Sequence, residues 1–374
     1  MLKKFEVKGF KNFKDRVILD FSDVKQYNFN KFCIKDNLLK TGIIYGKNAI
    51  GKSNFGLALF DITTHLVDKN LGTDLYDHYL TNDGFTHFAE FRYTFQFNQN
   101  EVVYTYKKSD VNTLIQEILL INNEEIFNLS SSDDFNGTLN INHKYSYLVP
   151  NLHFHDKNTS FLRYSVINIR EKDIYLTPIL FDLFNFISNM LWFRSLGENR
   201  FIGYKDRIKK ASDFLTYIFE QNNLFEFQKL LNDFGIEDKL VAIKTPENKQ
   251  ELYFSGNPNM PFFRVASNGT KALYTYFYWT RNKDISFLFI DEFDAYYHFE
   301  LAELIVKDLE NKNFQTILTT HNTNLLSNSI MRPDCYFVLT KTCLTSIAKS
   351  TNRELREGHN LEKLYINGEF GGNK

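Results

Sequence analysis

The sequence predicts an α/β fold in which a core of strands and helices carries an antiparallel β layer and an inserted helical lobe. Three observations predict it. The short apolar run Thr41-Gly42-Ile43-Ile44-Tyr45 stops at a glycine-bearing turn and gives way to helical character from Asn54 to Leu66. Apolar and polar residues then alternate with a period of two from Thr86 to Phe127, as in Phe91-Arg92-Tyr93-Thr94-Phe95, the pattern of antiparallel strands with one buried face. In the last third, strand-like runs at Ile285–Ile290, Gln315–Thr319 and Cys335–Leu339 flank a helical stretch, Phe299–Glu310, which restores α/β alternation.

Taken in order, Leu2–Phe10 and Val17–Phe21 read as two strands joined by the turn Lys11-Asn12-Phe13-Lys14-Asp15, a hairpin at a sheet edge. After the antiparallel layer, Ser130–Asn142 is rich in Ser, Asp and Asn and reads as a loop or an exposed excursion. Helical periodicity takes over from about Thr159 to Phe234, with apolar helices expected at Ile179–Phe193 and Ala211–Phe219. Asp182, Asn185, Ser188 and Asn189 interrupt the first of these, which makes it a packed helix rather than a membrane span. Strands at Leu240–Lys244 and Glu251–Phe254 and a helix from Thr270 to Trp279 lead back to the core. The expected organisation is a first core lobe over residues 1–155, a helical lobe over 156–280 and a return to the core over 281–374.

With 374 residues and 43% hydrophobic content, the chain can bury a large core without disulfides. Cys33, Cys335 and Cys343 show no metal-ligand spacing, and an odd number of thiols suits a reducing compartment. The opening residues lack the basic-then-apolar pattern of a leader, so a cytoplasmic location without membrane association is expected. Lys and Arg number 44 against 45 Asp and Glu, a net charge of −1 that does not indicate a broad nucleic-acid surface, although a local basic groove stays open. The 38 phenylalanines read as core rather than as stacking platforms.

Gly46-Lys47-Asn48-Ala49-Ile50-Gly51-Lys52-Ser53 satisfies GxxxxGK[ST] between an expected strand and an expected helix. Its glycines let backbone N–H groups turn toward phosphates, Lys52 faces the β- and γ-phosphates, and Ser53 is a ligand for Mg²⁺; Asn54 adjoins them. The ligand expected is therefore ATP with Mg²⁺. Phe287-Leu288-Phe289-Ile290-Asp291-Glu292 is a buried-strand run that ends in two carboxylates, a Walker B pattern: Asp291 for Mg²⁺, Glu292 to orient or deprotonate the attacking water. Ile317–Thr320 leads to His321, a hydrogen-bond donor for a γ-phosphate if its strand lies beside the acidic pair. Alone, a strand-end carboxylate or histidine is commonly structural; the three motifs together point to ATP hydrolysis, expected to be slow. His153 and His155 beside Asp156 read as a solvated loop rather than a metal site.

The order of these motifs resembles the ATPase head of the ABC superfamily, in the branch shared with SMC proteins and the overcoming-lysogenization-defect nucleases. Ser267-Asn268-Gly269-Thr270-Lys271 resembles the signature motif, and Asp294 the D-loop residue, with His298 after it. Gly9–Phe13 looks like the first hairpin of that branch, and Arg356–Tyr365 with residues 368–371 looks like the tail of phage-defence ATPases of AAA type. The fold class implied is a P-loop NTPase of ABC-ATPase type, a head without long arms, since roughly 240 residues separate Lys52 from Asp291 and no heptads occur.

In such heads the signature of one copy contacts ATP held by the other, so the resemblance implies an ATP-dependent homodimer with Ser267, Asn268 and Gly269 acting in trans. Asn268 and Thr270 depart from the usual glycine and glutamine. The same four residues also read as a helix cap. No glutamine can be assigned to the Q-loop: Gln96 and Gln99 lie in strand-like sequence. The chain ends soon after the tail, so a separately encoded toxin or nuclease is the expected effector, and the function implied is a sensor or regulator in antiphage defence. The alternative is a DNA-repair or DNA-end-binding ATPase; a transport role is disfavoured because no membrane feature is visible.

Overall fold

The structure, a computed structural model, describes the chain outside residues 68–72, 131–137, 149–158, 170–174, 196–200, 204–216, 221, 245–249, 282–283 and 372–374. Two seven-stranded sheets lie on either side of the helix Lys52–Leu66. The first is antiparallel throughout, in the order Thr138–Ile141, Glu124–Ser130, Leu114–Ile121, Asn100–Lys108, Ala89–Phe97, Leu2–Lys8 and Val17–Asp20. The second runs Phe201–Gly203, Met190–Arg194, Phe287–Asp291, Gln315–Thr319, Thr41–Tyr45, Tyr336–Leu339 and Leu344–Ser346. Its five central strands are parallel and its two edge strands antiparallel.

Strands buried on both faces need not alternate, and Thr41–Tyr45, Phe287–Asp291 and Gln315–Thr319 are buried at every position. The strands of the antiparallel sheet do alternate, because only one face meets the core. Between the sheets, Lys52–Leu66 buries 13 of its 15 residues, as a helix covered on both sides must. Phe55 meets Phe5 of the antiparallel sheet edge to face, while Phe60 packs on Phe287 and Phe289 of the parallel one. Asp61, fully buried on this helix, accepts from Lys108 Nζ at 2.9 Å, Tyr106 at 2.8 Å and Tyr79 at 2.9 Å. Burial pushes both phenols well above their ordinary range, so they remain donors that complete the carboxylate's shell.

Two expectations are corrected. The helix read as Ile179–Phe193 is Leu176–Ser188; it stops at Asn189, whose N–H returns to Asn185 and Phe186 carbonyls, and Met190–Arg194 is a strand parallel to Phe287–Asp291. Four successive buried apolar residues carry no period, so the helical pattern ran on through them. The loop read as Ser130–Asn142 holds an edge strand, Thr138–Ile141, whose partly exposed faces explain its polar composition. The expected helix Ala211–Phe219 is described only at residues 217–219, and His153, His155 and Asp156 lie outside the described residues. The helical lobe also contains a three-stranded sheet, Leu240–Lys244, Gln250–Phe254 and Met260–Pro261, beside the helices Asn223–Asp233 and Asn268–Thr280, where Phe227 packs on Tyr274 and Phe277. Among the described residues no helix is long and apolar enough to cross a membrane.

Candidate nucleotide site

Because the central strands run the same way, their carboxyl ends share one edge. Arg194 pairs in register with Asp291, and Thr319 with Ile44 one residue before Tyr45. From Tyr45 the chain turns through residues 46–51 into the helix Lys52–Leu66. Gly51 caps that helix at φ 108°, a conformation open to glycine, and a Cβ there would lie 2.3 Å from Asn12 Nδ2. Asn12, in the first hairpin turn, donates to Ile50 O at 2.9 Å and accepts from Asn54 at 2.7 Å, clasping the loop from outside. Among the described residues no side chain caps the helix, which leaves its first-turn amides for another acceptor. Lys47, Asn48 and Ala49 form the exposed rim of the turn, Ala49 at φ 58°.

Lys52 is buried and folds back over this turn. Its Nζ donates to Gly46 O at 2.9 Å and to His321 Nε2 at 2.8 Å, with Lys47 O at 3.4 Å. An ammonium has only protons to offer, so the imidazole accepts as a neutral ring. Burial and then the charge of Lys52 hold His321 below its ordinary pKa, consistent with that state; burial also lowers Lys52, against the pull of Asp291 and Glu292.

Asp291 is fully buried. Its Oδ1 accepts from Thr319 Oγ1 at 2.8 Å and its Oδ2 from Arg194 Nε at 2.9 Å, while Arg194 Nη2 donates to Ser53 Oγ at 3.0 Å. Glu292 is exposed at φ 50°, a left-handed conformation that costs a side chain about 1–2 kcal/mol. Its N–H donates to Thr319 Oγ1 at 2.8 Å, which holds the turn in place. Asp294 accepts from Thr320 at 2.7 Å, and burial raises its pKa. His298 caps the helix Phe299–Glu310 by position, its carbonyl accepting from Ala302 N at 3.0 Å, but its side chain makes no capping bond.

Ser267 caps the helix Asn268–Thr280 by accepting from Thr270 N at 3.1 Å, the capping role open from sequence, and Ser267 and Asn268 are exposed. Gly269 lies against the segment after Asp294: a Cβ would sit 2.8 Å from Tyr296 O, so the two turns touch backbone to backbone. The tail docks behind the histidine. Thr323 donates to Glu362 at 2.7 Å, Asn328 Nδ2 reaches the carbonyls of Arg356, Glu357 and His359, and Tyr365 packs on Tyr45.

The structure thus gathers Gly46–Ser53, Asp291, Glu292 and His321, and sets Ser267–Gly269 beside the turn that carries Asp294. Three residues escaped the sequence reading: Asn12, Thr319 and Arg194. Arg194 sits at the end of the strand mistaken for helix, where Asn189 was the available stop signal. Gln96 belongs to the antiparallel strand Ala89–Phe97, so it is not at this edge.

An antiparallel layer on a P-loop helix, with the acidic pair and histidine on neighbouring parallel strands, makes this an α/β P-loop NTPase of ABC-ATPase type with an inserted lobe. More particularly, the chain belongs to the family described as AAA domain, putative AbiEii toxin, Type IV TA system, whose model matches residues 43–327. No curated protein matches its sequence. Solved structures similar to it include the SMC head domain from Thermotoga maritima, at 14% identity and a TM-score of 0.44 over 92% of this chain and 98% of that one. Others are the Smc head with an extended coiled coil bound to the C-terminal domain of ScpA derived from Pyrococcus furiosus (14%, 0.42, 92% and 95%) and the recombination mediator protein RecF with ATP (16%, 0.38, 92% and 99%).

Proposed function

We propose that this chain binds and hydrolyses ATP with Mg²⁺, that two copies close on the nucleotide in the cytoplasm, and that the cycle regulates a separately encoded toxin or nuclease in antiphage defence. The observation that carries the nucleotide reading is the company of Lys52. Its hydrogen-bond partners are two carbonyls and a neutral imidazole, none of them anionic, at the uncapped N-terminus of a 15-residue helix. A phosphate satisfies that ammonium and those amides better than the present partners do. The Mg²⁺ assignment also fits. Ser53 Oγ and Asp291 Oδ2 are hard oxygen donors already bridged by one cationic group, the Arg194 guanidinium.

Bound Mg²⁺ would supply charge neutralisation for the phosphates, held by Ser53 and Asp291. Lys52 offsets charge on the terminal phosphate, and the Glu292 carboxylate orients the attacking water and accepts its proton. His321, released from Lys52, donates to a terminal phosphate oxygen. Lys47, Asn48, Ala49, Ile50 and Asn54 complete the cradle. For the dimer, Ser267 and Asn268 stand exposed with Phe263, Val265 and Tyr296, which are 41%, 48% and 41% exposed, an apolar rim suited to a second copy.

The defence role is supported by the family description, which names a toxin of a toxin–antitoxin system, and by the resemblance of the tail. Two experiments test the proposal. Glu292→Gln should elute as an ATP-dependent dimer in size-exclusion chromatography while the parent does not accumulate one; a variant that stays monomeric with ATP bound refutes the closing dimer. Expression from the native locus should bring down a stoichiometric effector. Recovery of the chain alone with DNA, and hydrolysis stimulated by DNA, would instead select the DNA-repair clamp.

A further inference from the structure

We propose that Arg194 gates the metal position: its guanidinium competes with the divalent cation for Ser53 Oγ and Asp291 Oδ2, and so sets the Mg²⁺ concentration at which ATP is bound. This rests on the nucleotide reading above.

One side chain reaches both oxygens through different nitrogens, Nε to Asp291 Oδ2 at 2.9 Å and Nη2 to Ser53 Oγ at 3.0 Å. The competition is direct because the other carboxylate oxygen is engaged: Oδ1 accepts from Thr319. Mg²⁺ binds oxygen at about 2.0–2.1 Å and needs near-octahedral space. A metal held by these two oxygens would therefore have to displace the guanidinium that bonds both of them. Arg194 suits a competitor better than lysine does, since its planar fork spans two acceptors at once.

Its backbone does not have to move. Arg194 pairs in register with Asp291, and the next residue, Ser195, donates to Phe293 O at 2.7 Å, tying the strand end to the neighbouring turn. The side chain, at 38% exposed against 0% for Asp291, has a path to solvent. Displacement is thus a rotamer change of one arginine. A purely structural ion pair would give Asp291 its counter-charge without reaching Ser53. The second bond, to a hydroxyl with no charge to neutralise, is what singles out the metal position.

The test is the Mg²⁺ dependence of nucleotide binding, read with a fluorescent ATP analogue on the full chain, with Arg194→Ala, Arg194→Gln and Arg194→Lys beside the parent. The half-saturating Mg²⁺ concentration should fall about tenfold in the Ala and Gln variants, the weight of one charge-assisted contact, and lie between for Lys. Mg²⁺ alone, without nucleotide, should raise the melting temperature of Arg194→Ala more than that of the parent, because only there does the metal meet an unpaired Asp291. An unchanged or higher half-point overturns the gate. So does weaker ATP binding by Arg194→Gln in EDTA, which would make Arg194 a phosphate ligand. If Arg194→Ala does not fold, the Gln and Lys variants decide by the same criterion. A parent that binds no ATP at any Mg²⁺ concentration overturns the nucleotide reading and the gate with it, whereas a parent that binds with an unshifted variant overturns the gate alone.

Discussion

Thr319 is the side chain through which the two acidic positions depend on the histidine strand, and replacing it separates that link from packing. Its hydroxyl donates to Asp291 Oδ1 and accepts from Glu292 N–H, both at 2.8 Å, and the residue is fully buried. Thr319→Val keeps the shape and removes both bonds. A hydrogen bond to a charged acceptor contributes roughly 1.5–3 kcal/mol, and the stranded N–H of Glu292 costs about 1–3 kcal/mol, so a loss near 3 kcal/mol is expected. Thr319→Ser keeps the hydroxyl and gives up one buried methyl, about 1 kcal/mol. Urea unfolding should therefore separate Val from Ser by about 2 kcal/mol. Hydrolysis should fall about 10–100-fold in the Val variant, the usual effect of losing a group that orients a metal ligand, while ATP binding in EDTA stays close to the parent because Lys52 is untouched. If Val and Ser agree within about 0.5 kcal/mol and turn over ATP at one rate, the bridging role assigned to Thr319 is wrong.

Other outcomes follow from the same contacts. Asp61→Ala should destabilise the fold by about 3–5 kcal/mol, because it leaves Lys108 buried without a counter-charge, and adding Lys108→Met should restore most of that; a single variant within about 1 kcal/mol of the parent in urea melts would contradict it. His321 is held below its ordinary value of 6.5, so the unfolded chain takes up a proton where the folded one does not; its contribution is complete above that value and declines as pH falls through it toward the folded pKa. A phosphate arriving beside the ring reverses this shift, so ATP binding near pH 6.5 should take up protons, seen as buffer-dependent heats in calorimetry. His321→Gln should abolish that dependence, and equal heats for the parent in all buffers would rule the linkage out.

How much of this was legible in the sequence depends on the distance over which each feature is made. The P-loop pattern lies within eight consecutive residues and its strand and helix adjoin it, so Gly46–Ser53 declared its strand–turn–helix setting. Asp291-Glu292 and His321 end strands apolar enough to be recognised as buried, and the antiparallel layer showed its one buried face in its period of two. Ser267 and Gly269 were visible as a motif, yet their contact with the turn at Tyr296 was not.

From local sequence alone come a glycine-rich turn of P-loop pattern and an acidic strand end in one α/β chain. Tertiary structure alone decided which strands are neighbours: it placed Met190–Arg194 against Phe287–Asp291, and with it Arg194 on Asp291, 97 residues away in the chain. The physical reason is that strand pairing leaves no local trace. A fully buried strand is only a run of apolar residues, so its partner, its register and the side chain it delivers to the edge follow from how the sheet assembles around the helix Lys52–Leu66.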